Sequence, residues 1–137
     1  MRYTLGKEEK LRHKTLVDGA FEGGTTVYEY PLRLTYRVLR PDELEASFRK
    51  GVPDRVGKLQ MLITVPKKKL RHAVDRVRMR RLIREAYRLN RLPLKSEATA
   101  KTDLGTLSMA FIYLHPGLME YAEIEKKMKR LLEKVKL

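Results

Sequence analysis

Lysine and arginine crowd residues 67–91, KKKLRHAVDRVRMRRLIREAYRLNR, where eleven positive charges stand against only Asp75 and Glu85. Such a run can enter a compact fold only if an apolar stripe docks it on a core while the charges stay outside. Met79, Leu82, Ile83 and Ala86 recur at i, i+3, i+4 and i+7, which predicts a helix in the second half of the run, with Asp75 as its N-cap. At roughly 100° per residue, Arg76, Arg80, Arg84 and Arg88 then step along a neighbouring face, with Arg81 beside them. Like charges four residues apart repel by roughly 0.2–0.5 kcal/mol per pair, and an ordinary solvated face mixes signs to avoid that cost. The guanidinium fork, by contrast, pairs bidentately with phosphate oxygens and stacks on bases. Phosphate binding is the expected role of this face, and a merely solvated charge run is the alternative.

The surrounding chain supplies enough apolar material for that docking. With 137 residues, 42% of them hydrophobic, one domain spanning 1–137 is expected. A formal charge of +14 and an isoelectric point near 10.1 point to a nucleic-acid partner before an anionic membrane. No apolar run approaches ~18 residues. The opening MRYTLGKEEKLRHK lacks the apolar centre of a signal peptide, so an intracellular, soluble protein is expected. The absence of cysteine excludes disulfides, thiolate catalysis and cysteine-ligated metal.

Residues 1–9 read as a loose leader. A short helix is expected over Lys14 to Glu22, stopped by Gly23 and Gly24, with Val17 and Phe21 as its buried stripe. The alternative for Phe21 is a place at a cleft edge, stacking on a base. From Val27 to Leu39 the pattern alternates, predicting a half-buried strand with Leu32, Leu34, Tyr36 and Val38 inward and Arg33, Thr35 and Arg37 outward. A second strand, Lys58 to Val65, places Leu59, Met61, Ile63 and Val65 inward and turns Gln60 and Thr64 the other way. Between them, residues 41–56 read as a surface loop insertion, with a helical turn through Glu43 to Phe48. Pro93 to Gly105 reads as a flexible connection. Leu107 to Leu114 suits a strand covered on both faces, and Met119 to Val135 an amphipathic helix. The elements run α-β-β-α-β-α and define an α+β sandwich with a small sheet.

The chemistry of a protein-based catalyst is missing from the sequence. His13, His72 and His115 are isolated and read as surface residues. Glu8, Glu9, Glu123 and Glu125 read as solvated partners for lysine. There is neither a P-loop nor a GxGxxG fingerprint, and Gly23-Gly24-Thr25-Thr26 reads as a turn.

The run VPKKKLRHAVDRVRMRRLIREAYR resembles the signature of the bacterial ribonuclease P protein family. There a strand ending in a lysine pair leads through Ala-Val into Arg-Asn-Arg, a basic pair, Arg-Glu-Ala and an aromatic residue. Lys67 and Lys68 match the lysine pair, Ala73 and Val74 the Ala-Val step, and Arg76 and Arg78 the flanking arginines. Arg80 and Arg81 stand at the basic pair, and Arg84, Glu85, Ala86 and Tyr87 complete the motif. The opening KLRHKTLVDGAFEGG is similar to the family's start, with Leu11, Phe21 and Gly24 in register. Val77 takes the place of the usual asparagine, Val17 that of a more usual aromatic, and the link from Lys68 to Ala73 is one residue longer than usual, with Pro66 where a serine is common.

The resemblance implies a left-handed βαβ crossover around the basic helix. It also implies an accessory subunit of an RNA-based endoribonuclease that matures the 5′ end of precursor tRNA in the cytoplasm. Magnesium-dependent hydrolysis is expected on the RNA subunit, which holds most of the Mg2+, with no catalytic or metal-binding residue on the protein. The partners implied are ribonuclease P RNA and precursor tRNA, with neither a membrane nor a small-molecule substrate. The expected RNA-binding residues are Lys67, Lys68, Lys69, Arg71, Arg76, Arg78, Arg80, Arg81, Arg84 and Arg88. Val17, Phe21, Arg33 and Thr35 are the expected cleft for the single-stranded 5′ leader. The rivals are a ribosome-associated structural RNA-binding protein and a protein-only nuclease working through an acidic cluster.

Overall fold

The computed structural model describes residues 5–48, 50–52 and 56–137. Its centre is β4 (Thr106–Tyr113), the near-continuous apolar run, in which all eight residues are buried. β2 (Leu32–Leu39) pairs antiparallel on one side of it and β3 (Leu59–Thr64) parallel on the other, with β1 (Thr25–Glu29) antiparallel beyond β2. The sheet order is β1-β2-β4-β3. A parallel pair cannot be closed by a hairpin. The β3–β4 crossover is made by α3 (Ala73–Asn90) and α4 (Leu92–Ala100).

Side chains alternate across the sheet. Leu32, Leu34 and Tyr36 meet Leu59, Met61, Leu107, Met109 and Phe111 in one main core, closed by Met79, Ile83, Ala86 and Tyr87 of α3 and by Ile124, Met128, Leu131 and Leu132 of α5 (Tyr121–Lys134). Each such side chain withdrawn from water contributes roughly 1.5–3 kcal/mol before entropy is counted. The opposite face is covered by α1 (Lys14–Gly23), which packs on β2 and β4. A smaller cluster of Leu11, Leu16, Leu39 and Leu44 lies on this side, Leu44 coming from the short α2 (Pro41–Ala46).

Several expectations are corrected. The single strand over Val27 to Leu39 is a hairpin that turns at Tyr30 and the cis Pro31. Val27 and Leu34 are cross-strand partners, so the inward positions change from odd to even numbers at the turn. In α1 the buried residues are Leu16 and Ala20; Val17 is half-buried and Phe21 is 46% exposed. α3 begins at Ala73, with His72 at the cap and Asp75 already inside the first turn, where a carboxylate favours the helix dipole. Its buried stripe is Met79, Ile83, Ala86 and Tyr87, with Leu82 half-buried at the edge.

Residues 92–100 are helix, with Pro93 in the first turn, where its missing N–H is harmless, and Leu94 and Ala98 buried one turn apart. The helical turn expected over Glu43 to Phe48 is displaced to Pro41–Ala46; residues 49 and 53–55 of that stretch lie outside the described residues. Gln60 is buried, because the α1 side of the sheet is covered too.

The N-terminal segment is docked from Leu5 onward, and residues 1–4 lie outside the described residues. Lys7–Glu9 form a 3-10 turn, the Leu11 N–H donates to the Met61 carbonyl at 2.9 Å, and Lys10 bridges to Met61 along the outer edge of β3. Glu9 is 3% exposed and faces Arg91, which is fully buried. Arg91 Nε and Nη2 donate to the Glu9 carboxylate at 2.7 and 3.1 Å, Arg91 Nη1 donates to the Arg88 carbonyl, and Lys95 Nζ stands 3.5 Å from Glu9. Burial pushes the Glu9 carboxyl up, but the Arg91 hydrogen bonds and the charges of Arg91 and Lys95 outweigh it and hold its pKa below the ordinary value. The expected solvated glutamate is therefore half of a buried ion pair.

Candidate nucleic-acid interface

Val65 and Leu70 are buried on either side of a tight turn in which the Lys69 and Leu70 N–H groups donate to the Pro66 carbonyl. With its ends fixed in the core, the turn holds Lys67, Lys68 and Lys69 exposed, and Arg71 follows in the open. Arg76 Nη1 donates to the carbonyls of Leu70 at 2.9 Å and Arg71 at 3.0 Å. This arginine ties the lysine turn to the first turn of α3.

The expected row at i+4 intervals divides in two. Arg76 is engaged by backbone carbonyls, and Arg88 donates to Glu85 from Nε at 3.0 Å and Nη2 at 2.6 Å. That hydrogen bond lowers the Glu85 pKa and raises that of Arg88. The row therefore has local partners at both ends, which the sequence reading did not grant it. Arg78, Arg80, Arg81 and Arg84 have no hydrogen bond or ion pair among the described residues. Arg78, Arg81 and Arg84 are exposed; Arg80 is half-buried. Arg80 and Arg84 also line a hollow of about 350 Å³ with Leu5, Glu9, Lys10 and Met61, between α3, β3 and the N-terminal segment.

The expected leader residues gather around α1 and the sheet face beneath it. Gly24 ends α1 so close to β2 that an added Cβ would lie 2.7 Å from the Tyr36 carbonyl oxygen and 3.1 Å from Thr35 Cγ2, so a bare backbone is needed there. Thr35 is buried, its hydroxyl 3.2 Å from that of Thr26. Arg33 is half-buried, and its Nε has no partner among the described residues. Val17 and Phe21 stand on α1 with Phe21 open to solvent. Sequence reasoning missed Tyr28, which is 56% exposed and is the cross-strand partner of Arg33. Recognising the hairpin would have found it, since only then does an aromatic residue lie beside that arginine.

Among the described residues no three His, Asp or Glu side chains come together, and no helix is long and apolar enough to cross a membrane. Four guanidinium groups and three ammonium groups on one helix and the turn before it have no ion-pair partner among the described residues, and together they set up a strongly positive field. The ribonuclease P family model matches residues 5–136. The chain is 32% identical over 133 residues to the ribonuclease P protein component of Porphyromonas gingivalis, covering 97% of this chain and 87% of that protein. It is 35% identical over 136 residues to the ribonuclease P protein component of Chlorobaculum tepidum, covering 93% and 82% respectively. The chain belongs to the ribonuclease P protein family.

Proposed function

We propose that the chain is the protein subunit of a ribonuclease P ribonucleoprotein, acting in the cytoplasm, and that its α3 face and lysine turn bind the catalytic RNA. The observation that carries this reading is the set of guanidinium groups at Arg78, Arg80, Arg81 and Arg84, which have no partner among the described residues and stand on a helix anchored by the buried stripe behind them. Such groups contact phosphates and position the protein, whatever the RNA sequence beneath. Arg76 and Arg88, each with an internal partner, act on this reading by shaping the surface.

The single-stranded 5′ leader of precursor tRNA would lie along the edge of α1, over Phe21 and Val17, with Arg33 and Thr35 on the sheet below and Tyr28 extending the track. Stacking and backbone charge suit a leader whose sequence varies. Bond cleavage and most of the Mg2+ belong, in this proposal, to the RNA. The protein's part is to relieve phosphate repulsion, so that the RNA folds and holds its metal at lower magnesium.

A reconstitution tests this. A ribonuclease P RNA transcript inactive by itself at low magnesium should regain precursor-tRNA cleavage when the protein is added. RNA binding without restored cleavage would favour a structural, ribosome-associated role, and cleavage by the protein alone would point to a protein-only nuclease.

A further inference from the structure

The outer flank of α3 carries a feature that phosphate binding leaves unexplained. Val74, Val77, Arg78, Arg81 and Leu82 fall at i, i+3, i+4, i+7 and i+8, which is one helix face. Together with Ala73 they form an open apolar patch along the helix, flanked by the two arginines. No carboxylate lines it. Val74 is 78% exposed, the most open large hydrophobic side chain among the described residues. β-branched residues are poor helix formers and gain nothing from facing water. Val77, half-buried between Val74 and Arg81, keeps the middle of the patch apolar.

We propose that an unpaired nucleobase of the partner RNA packs on this patch, the base lying on Val74, Val77 and Leu82 while Arg78 and Arg81 stack on it or meet its flanking phosphates. The inference rests on the RNA-binding reading above. Charge selects the occupant: both flanking arginines lack a partner among the described residues, and a chain of net charge +14 repels a second copy of itself but attracts a polyanion. The apolar patch then selects the part of the polyanion, because only an unstacked base offers a flat, weakly hydrated face, and bases within RNA helices are hidden.

The test measures affinity of the full-length protein for a ribonuclease P RNA transcript across a salt series. Val74→Ser combined with Val77→Asn should weaken binding about tenfold at every salt concentration, since losing apolar contact of this size releases no counterions. Arg78→Ala should instead flatten the salt dependence by about one unit. A Val74→Cys variant supplies the only thiol in the chain, and a photocrosslinker attached there should mark an unpaired nucleotide. Unchanged affinity of the double variant while the wild type binds tightly would overturn the base site and leave the RNA-binding reading standing. Crosslinks confined to paired RNA or to a second copy of the chain would also overturn it. A wild-type protein that does not bind the transcript would remove both.

Discussion

Glu9 and Arg91 are 82 residues apart in sequence and form the most buried charge pair described. Removing one partner strands the other without water, so Glu9→Ala should cost about 3–5 kcal/mol in a denaturant titration, and Glu9→Leu with Arg91→Met should cost much less. The pair also sets a pH dependence. The folded Glu9 pKa lies below its ordinary value of 4.5, so its stabilisation is complete above that value and is lost as pH falls through the lower, folded one. Between pH 6 and 3 the wild type should lose more stability than Glu9→Gln. Beside the pair, burial pushes the Tyr87 hydroxyl far up, and that oxygen has no hydrogen-bond partner among the described residues. Tyr87→Phe should therefore raise stability by about 1 kcal/mol, read from the same titration, and a loss would mean that the hydroxyl is held by a contact not described.

α3 packs on the core with one face and carries its free-standing arginines on another, and the two faces can be tested apart. Replacing Arg80 and Arg84 with alanine should flatten the salt dependence of RNA binding by about two units and leave the melting temperature within a degree or so, because neither arginine has a partner among the described residues; an unaltered slope would remove both from the phosphate contacts. The helix itself was legible in the sequence, as were β4 and α5, because each carries an unbroken apolar run or stripe. The hairpin was misread although its signal was present: the shift of inward positions from Val27 to Leu34 and the intervening Pro31 mark the turn. α4 was also misread, since Leu94 and Ala98 are a thin stripe in a polar context. Which arginines are internally engaged was beyond sequence reasoning. Glu85 is a local partner that the i,i+3 spacing suggests, but the Leu70 carbonyl and Glu9 reach their arginines only through the fold.

At the scale of the whole molecule, charge is the dominant strain. A net +14 on 137 residues opposes compaction, and anions that settle among the unpaired cations of the 67–84 surface should relieve it. Millimolar phosphate should raise the melting temperature above that in chloride at equal ionic strength, and equal temperatures would mean that no anion site exists there.

The strand order β1-β2-β4-β3 also governs when the chain can fold during its synthesis. β4 lies between the strands on either side, yet it is the last of the four to be translated. Until residue 113 has been made, β3 has only the N-terminal segment at its outer edge and no partner strand, and α3 has no complete sheet to rest on. At roughly 5–20 residues per second, residue 113 follows residue 91 by about a second or more, and over that interval the segment 67–91 has no finished sheet to dock on. A growing chain with this strand order thus carries its most positively charged stretch before it has a body to hold it.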